Sequence, residues 1–290
     1  MAVLRHLSLR DFRNYSSLEL DLSEGRIVFS GNNGQGKSNV LEAIAYLGSL
    51  GSFRGAPPEA LIGADAPAAV IRATVDRGDR ELLIEAELVR GRANRIQVNK
   101  QRLGRARDLL GMMPVTVFGP DDLELVKAGP GLRRRYLDDL LVQLHPRNAK
   151  LCAEVDKILK QRNALLRSAG GRTTADVEAT LSVWNTKLGA AGEELGRARR
   201  DLVARLEPRV DDAYGALAGK GNPVGLRYEP AWLVAGLQHE LEALKNDELR
   251  RGTTLVGPHR DELEISLANM PARTHASQGE QRTMALALRI

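Results

Sequence analysis

The sequence predicts an α/β fold built around a phosphate-binding loop and interrupted by an antiparallel helical hairpin. Three observations point there. Residues 31–38 read GNNGQGKS, between an apolar stretch and a helical one. Before residue 120 the apolar residues mostly alternate, whereas from Leu137 to Leu202 they recur in steps of three and four. From residue 223 a mixed pattern returns and runs into QRTMALALRI.

The elements follow in order. Val3, Leu4, Leu7 and Leu9, then Leu18, Leu20 and Leu22, then Ile27, Val28 and Phe29, separated by turn-like segments at 11–17 and 23–25, predict three short strands. Val40, Leu41, Ile44 and Leu47 at helical spacing predict a helix over 37–50. AVIRATVDRGDRELLIEAELVRG, with its turn at 76–79, predicts an antiparallel hairpin, and NRIQVNKQRL one further strand. Residues 114–118 predict another strand, closed by Gly119 and Pro120. Leu137, Leu141, Leu144, Leu151, Val155, Ile158 and Leu165 approach seven-residue repeats, with a kink expected at His145-Pro146. After SAGGRTT, the series Val177, Leu181, Trp184, Leu188, Ala191, Leu195, Ala198 and Leu202 predicts a second long helix that Pro208 bends. Residues 253–267 predict two short strands around a Gly-Pro turn. The expected organisation is a lobe with the phosphate loop and a β-rich subdomain over 1–130, a helical arm over 131–222 and a return to the lobe over 223–290.

Composition excludes several classes. A single cysteine in 290 residues rules out an internal disulfide framework. The start MAVLRHLSLRDFRNY lacks the apolar centre of a signal peptide, and no apolar run approaches the ~20 residues of a membrane-spanning helix. The expectation is a soluble, cytoplasmic protein with no membrane partner. The 42 Lys and Arg against 37 Asp and Glu leave a net charge of +5, which suits a nucleic-acid or phosphate partner and equally a solvated mixed-charge surface.

In the phosphate loop, Gly31, Gly34 and Gly36 let the backbone curl, so that N–H groups, with those of Asn32, Asn33 and Gln35, point at phosphate oxygens. Lys37 is placed to reach the β- and γ-phosphates, and Ser38 to ligate Mg²⁺. These two are the candidate catalytic residues. No Asn-Lys-x-Asp base-reading string occurs, NTKL and LKND failing it, so ATP is favoured over GTP. No convincing acidic pair follows an apolar strand: Gly119 and Pro120 separate Asp121 from its strand, and LDD at 137–139 belongs to the helical repeat. At 276–282, ASQGEQR opens a helix, with Ser277 as its cap and Gly279 allowing close approach to a ligand.

Beside the phosphate loop, ASQGEQR resembles the signature sequence of ABC-type ATPases. LRDFRNY, GNNGQGKSNVLEAI, VFGPDDLELVKAGPGLRRRYLD, KQRNALL, TLVGPHRDEL and ASQGEQRTMALAL together resemble the RecF family of DNA replication and repair proteins. These are ABC-type ATPases related to the SMC proteins, with a short helical arm in place of a long coiled coil. The resemblance implies a P-loop NTPase head of the ABC type with an inserted antiparallel helical hairpin arm. It implies ATP-dependent binding to single- and double-stranded DNA around gaps, in DNA damage repair and the SOS response. RecR and RecO are the implied partners in loading recombinase. It also implies an ATP-dependent homodimer, with ATP on Gly31 to Ser38 of one copy contacted by Ser277, Gly279 and Glu280 of the other. Arg13 matches a position near the nucleotide, and Arg54, in GSFRG, one near DNA. Relatives continue past the signature helix into an apolar strand with two acidic residues that serve Mg²⁺ and catalysis. The sequence here ends at Ile290, before that strand, so a truncated chain is expected and hydrolysis is in doubt.

Arg133, Arg134 and Arg135 form a cluster, extended by Lys150, Lys157, Lys160, Arg162 and Arg167 along the first arm helix. They are candidate backbone contacts to DNA, or a solvated face paired with Asp138, Asp139, Glu154 and Asp156. With 4% aromatic residues there is little material for stacking bases. His145 and Cys152 read as packing residues rather than a zinc site. His259 and Arg260 read either as ordering a loop near the nucleotide or as structural. Two rival functions remain: a nucleotide-stabilised DNA-binding scaffold without hydrolysis, and an SMC-like chromosome-organising ATPase. An arm helix of about 36 residues, roughly 54 Å, is short for the latter.

Overall fold

The computed structural model describes residues 2–219 and 222–290. Compactness divides the chain once, into Met1–Val117 and Phe118–Ile290. The helices of the arm expected over 131–222 share one apolar core with residues from 223–290, from Val224 to Leu288. Residues 220 and 221 of the expected arm lie outside the described residues.

The first unit carries β1 (Ala2–Phe12), β2 (Tyr15–Asp21), α1 (Lys37–Ser49), β3 (Ala68–Arg77), β4 (Arg80–Val89), β5 (Arg95–Val98) and β6 (Gln101–Arg102). The strands form one sheet in the order β2-β1-β3-β4-β5-β6, and every neighbouring pair is antiparallel. Alternation sends one side chain in two to the core. Leu7 faces Ala73 and Leu9 faces Ile71 across β1 and β3, and Ala73 and Ile71 face Ile84 and Ala86 on β4. Val40, Ala43, Tyr46 and Leu47 of α1 are buried in the same cluster. The helix therefore has its apolar stripe fixed by the sheet.

Two expected strands do not form. Residues 27–29 and 114–118 are irregular. Apolar, β-branched composition makes them strand-like, but a strand also needs a neighbour for its N–H and C=O groups, and neither segment has a ladder partner among the described residues. Val28 is 85% exposed.

The second unit begins with α2 (Glu124–Lys127) and α3 (Pro130–Leu144), followed by α4 (Asn148–Ala169) and α5 (Ala175–Ala218). The kink expected at His145-Pro146 is a full break. Pro146 cannot donate to the helical ladder, and His145 ends α3 in extended backbone. Thr174 caps α5, its hydroxyl accepting from the Val177 N–H at 3.3 Å. The helix then runs unbroken through Pro208. Leu151, Val155, Ile158 and Leu159 of α4 and Leu188, Leu195 and Leu202 of α5 share one core, as the heptad spacing predicts for a hairpin.

After α5 come β7 (Val224–Arg227), α6 (Trp232–Ala235), α7 (Leu237–Ala243), α8 (Lys245–Arg251), β8 (Glu264–Leu267), β9 (Met270–Pro271), α9 (Ala272–His275) and α10 (Gln278–Ala287). β7, β8 and β9 form a small antiparallel sheet. Of the two strands expected over 253–267, only β8 forms, and residues 253–263 are turns and irregular backbone. α6 packs tightly on α5. A Cβ on Gly196 would lie 2.4 Å from the Trp232 ring, so only glycine permits this approach. No helix of the described residues is long and apolar enough to cross a membrane.

Candidate nucleotide site and charged clusters

Residues 31–36 form a loop that enters α1 at Lys37. Gly31, Gly34 and Gly36 have φ values of 141°, 82° and 98°, left-handed backbone that favours glycine. A Cβ on Gly36 would lie 2.7–2.8 Å from the Asn14 amide and the Tyr15 hydroxyl, so the β1–β2 turn rests on the loop's last residue. The Lys37 ammonium donates to the carbonyls of Gly31 at 2.8 Å and Asn32 at 2.6 Å. Its charge thus lies across the loop, over a backbone that no side chain of Gly31 or Gly34 obstructs. These residues fit a chain of phosphates, whose oxygens would accept hydrogen bonds from the lysine ammonium and from the N–H groups at the start of α1. Ser38 is exposed beside the loop, as a metal-bound hydroxyl requires. Among the described residues no group of three His, Cys, Asp or Glu side chains is placed to hold a metal.

Behind the loop is a charged knot. Glu42, on α1, is fully buried. It accepts two hydrogen bonds from Arg13, at 2.9 and 2.8 Å, and another from Ser52. Arg54 lies 3.8 Å from the same carboxylate. Burial pushes the Glu42 pKa up, but the bonds from Arg13 and Ser52 and the two guanidinium charges outweigh it, so the carboxyl titrates below its usual range. Arg13 has φ 55° in the two-residue β1–β2 turn. That costs a non-glycine residue about 1–2 kcal/mol. The turn is held by Glu42, by the Arg13 side chain donating to Ala60 O at 2.9 Å and by its N–H donating to Leu61 O at 2.8 Å. Arg54 donates to Asn39 Oδ1 at 3.1 Å, and Asn39 Nδ2 donates to Asn14 Oδ1 at 2.7 Å. Arg13 and Arg54, drawn from separate motifs, thus meet at one carboxylate. Glu42, Asn39, Asn14 and Ser52 are the residues that sequence reasoning missed.

In the second unit, Ser277 caps α10. Its hydroxyl accepts from the Glu280 N–H at 3.3 Å, and the Glu280 carboxylate accepts from the Ser277 N–H at 2.7 Å. The bonds from Ser277 hold the Glu280 carboxyl below its usual pKa. Ser277 and Gly279 are exposed, and nothing lies within 4 Å of a Cβ built on Gly279, so this helix start is open to a ligand.

The arginine cluster is not what its charge suggested. Arg133 is buried. It pairs with both oxygens of Glu262 at 2.7 and 3.0 Å and donates to Ala128 O at 2.8 Å, leaving no face for DNA. Arg134 is half-buried and donates to Asp261 O at 2.7 Å. Burial and the nearby Arg199 lower its pKa. Only Arg135 of the three is exposed. Arg162 is fully buried, bonded to Glu248, Asn185 and Thr254. Lys150, Lys157, Lys160 and Arg167 are exposed on α4.

The GPHRD segment is structural. The His259 Nε2 lies 3.1 Å from Thr254 O, which also accepts from Arg260. Burial pushes the histidine pKa down to about 4. Pro258 O accepts from Arg199, whose other nitrogens hold Asp138 at 2.8 Å. Asp261 accepts from Trp232 at 2.8 Å and from Tyr228. Burial pushes the Cys152 thiol up to about 12, the mark of a packing residue.

A glycine loop closed by a lysine at the start of α1, with a serine-capped helix late in the chain, defines a P-loop ATPase head of the ABC type, here with a helical arm. Residues 3–290 match the RecF/RecN/SMC N terminal domain. The DNA replication and repair protein RecF of Frankia alni is 45% identical over 99% of this chain and 80% of its own length. The solved structure of the recombination mediator protein RecF-ATP in the RecFOR pathway superposes with a TM-score of 0.92 at 28% identity, over 99% of this chain and 79% of that one. The Smc head domain from Pyrococcus furiosus shares the fold, with a TM-score of 0.53 at 18% identity over 99% of this chain and 78% of its own. The chain belongs to the RecF family and spans about four-fifths of the length of these relatives.

Proposed function

We propose that this chain is an ATP-dependent DNA-binding protein of replication and recombinational repair. The observation that carries the reading is the phosphate loop, with Lys37 bonded across to the Gly31 and Asn32 carbonyls and open space beside Gly31 and Gly34. The similar RecF structure is one with ATP. Gly31 to Lys37 hold the phosphates, Ser38 supplies a hydroxyl to Mg²⁺, and the Arg13–Glu42 pair fixes the turn against the loop. Two copies associate with the nucleotide between the loop of one and Ser277, Gly279 and Glu280 of the other. Such a dimer closes on DNA and is the form that works with RecR and RecO at gaps to load recombinase in the cytoplasm.

DNA contact falls to the exposed cations: Arg54, Arg135, and Lys150, Lys157, Lys160 and Arg167 on one side of α4. Residues 150, 157, 160 and 167 fall within about a third of the helix circumference at 3.6 residues per turn. None has an ion-pair partner within 4.0 Å among the described residues. Such contacts track phosphates rather than bases, so affinity depends steeply on salt. Anisotropy titrations of a gapped duplex in rising KCl, with and without ATP, test this. ATP is expected to strengthen binding. The triple variant Lys150→Glu, Lys157→Glu, Lys160→Glu is expected to lower the slope of log K on log salt by about 2–3. An unchanged slope removes α4 from the DNA surface.

A further inference from the structure

We infer that Asn39 is a positioning residue that ties Arg54 to the phosphate loop, so that the state of the loop sets the place of the arginine. The inference rests on the reading of Gly31–Ser38 as a nucleotide site and deepens it. Asn39 lies on the first turn of α1, two residues past Lys37, and its N–H donates to Gly36 O at 2.7 Å. Its side chain faces two ways. Nδ2 donates to Asn14 Oδ1 at 2.7 Å, and Oδ1 accepts from Arg54 Nη1 at 3.1 Å. The amide cannot turn over without setting oxygen against oxygen and N–H against N–H, so its direction is fixed by its neighbours. The Asn14 amide in turn rests on Gly36, close enough that a Cβ there would collide with it.

A continuous chain therefore runs from the loop backbone at Gly36 through Asn14 and Asn39 to Arg54. The alternative anchor of Arg54 is weaker. Glu42 lies 3.8 Å away, and its carboxylate already accepts hydrogen bonds from Arg13 and Ser52. Phosphates in the loop compete for Lys37 with the carbonyls of Gly31 and Asn32. Release of those carbonyls shifts the 31–36 backbone on which Asn14 rests. An exposed amide relay of this kind transmits a modest effect, about fivefold, at the low end of measured couplings between sites.

Limited trypsin cleavage at the Arg54–Gly55 bond, followed by mass spectrometry, reads the position of Arg54 directly. A fluorescent ATP analogue measures occupancy in parallel. In the unaltered protein ATP is expected to slow this cleavage about fivefold. Asn39→Leu removes both hydrogen bonds at similar volume and is expected to abolish the effect while still binding nucleotide. Asn39→Asp keeps the acceptor for Arg54, with the Asn14 amide turned to donate, and is expected to restore it. The relay is overturned if Asn39→Leu keeps the ATP effect, if Asn39→Asp loses it as fully, or if Asn39→Leu no longer binds nucleotide, since Asn39 would then hold the ligand itself. It is also overturned if the unaltered protein binds ATP with no change at Arg54. Failure of the unaltered protein to bind ATP would instead refute the nucleotide-site reading on which the relay rests.

Discussion

Replacing Lys37 with alanine is expected to weaken ATP binding by about 2–3 kcal/mol, roughly thirty- to 150-fold, because it removes the charge-assisted hydrogen bonds proposed to the phosphates. The same change leaves the free protein nearly as stable as before. The Gly31 and Asn32 carbonyls that Lys37 now serves belong to exposed residues, and water replaces the ammonium there. Thermal denaturation separates the two effects. ATP raises the melting temperature of the unaltered protein by mass action, and that gain is lost in Lys37→Ala, while the melting temperature without ATP stays within about a degree or two. Retention of the ATP-dependent gain would mean that the ligand sits elsewhere than in the loop.

The second large effect is on stability. Arg162 ties α4 to α5, α8 and the segment before GPHRD. It donates to Glu248 at 2.5 Å, to Asn185 Oδ1 at 3.0 and 3.1 Å, and to the Thr254 hydroxyl at 2.8 Å. Arg162, Glu248 and Thr254 are fully buried, and Asn185 nearly so. Arg162→Leu leaves the Glu248 carboxylate unpaired in the core, and the loss is about 3–5 kcal/mol. Replacing Arg162 and Glu248 together by leucine removes both charges and costs less than the single change. Both tryptophans, Trp184 and Trp232, lie in the second unit, so urea unfolding followed by their fluorescence reports this unit alone. The pH dependence has a definite sign. Burial already raises the Glu248 pKa against the pull of Arg162, and without the arginine it rises further. An acid whose folded pKa lies above its unfolded value weakens the fold at pH above the unfolded value. The deficit of Arg162→Leu therefore shrinks as pH falls from about 8 toward about 5. A midpoint shift equivalent to less than about 1 kcal/mol would show that the network adds little.

Much of this fold was legible in the sequence, where local pattern and tertiary surroundings agree. The alternation in β1, β3 and β4, the glycine loop before α1, the helical hairpin and the Ser277 cap all follow from spacing and capping chemistry. Residues 27–29 and 114–118 misled because composition reports a preference for extended backbone and not the presence of a neighbour to pair with. The basic residues misled for a related reason. Arg133 and Arg162 were read by charge, yet Arg162 falls within the apolar stripe Leu151, Val155, Ile158, Leu166 and Ala169, which is the face turned inward. Asn185 and Arg199 on α5 sit likewise among Leu181, Leu188, Leu195 and Leu202. A polar residue on an apolar stripe was the available signal for a buried pair. Glu42 had the same mark beside Ala43 and Tyr46. The meeting of Asn14, Asn39 and Arg54 had none, since residues 25 and 15 positions apart are joined only by the way a turn and a loop fold back on α1.

The proposed dimer holds its nucleotide between the loop of one copy and the Ser277 helix of another. Mixing two defective variants, Lys37→Ala and Ser277→Arg, tests it most directly, with association followed by sedimentation velocity in the presence of ATP. Each variant alone lacks an intact site in any head-to-tail pair and is predicted to remain monomeric. A mixed pair regains one intact site, from the loop of the Ser277→Arg copy and the helix of the Lys37→Ala copy, and is predicted to dimerise with ATP. A mixture that sediments as the sum of its two components, while the unaltered protein dimerises, would contradict the shared site.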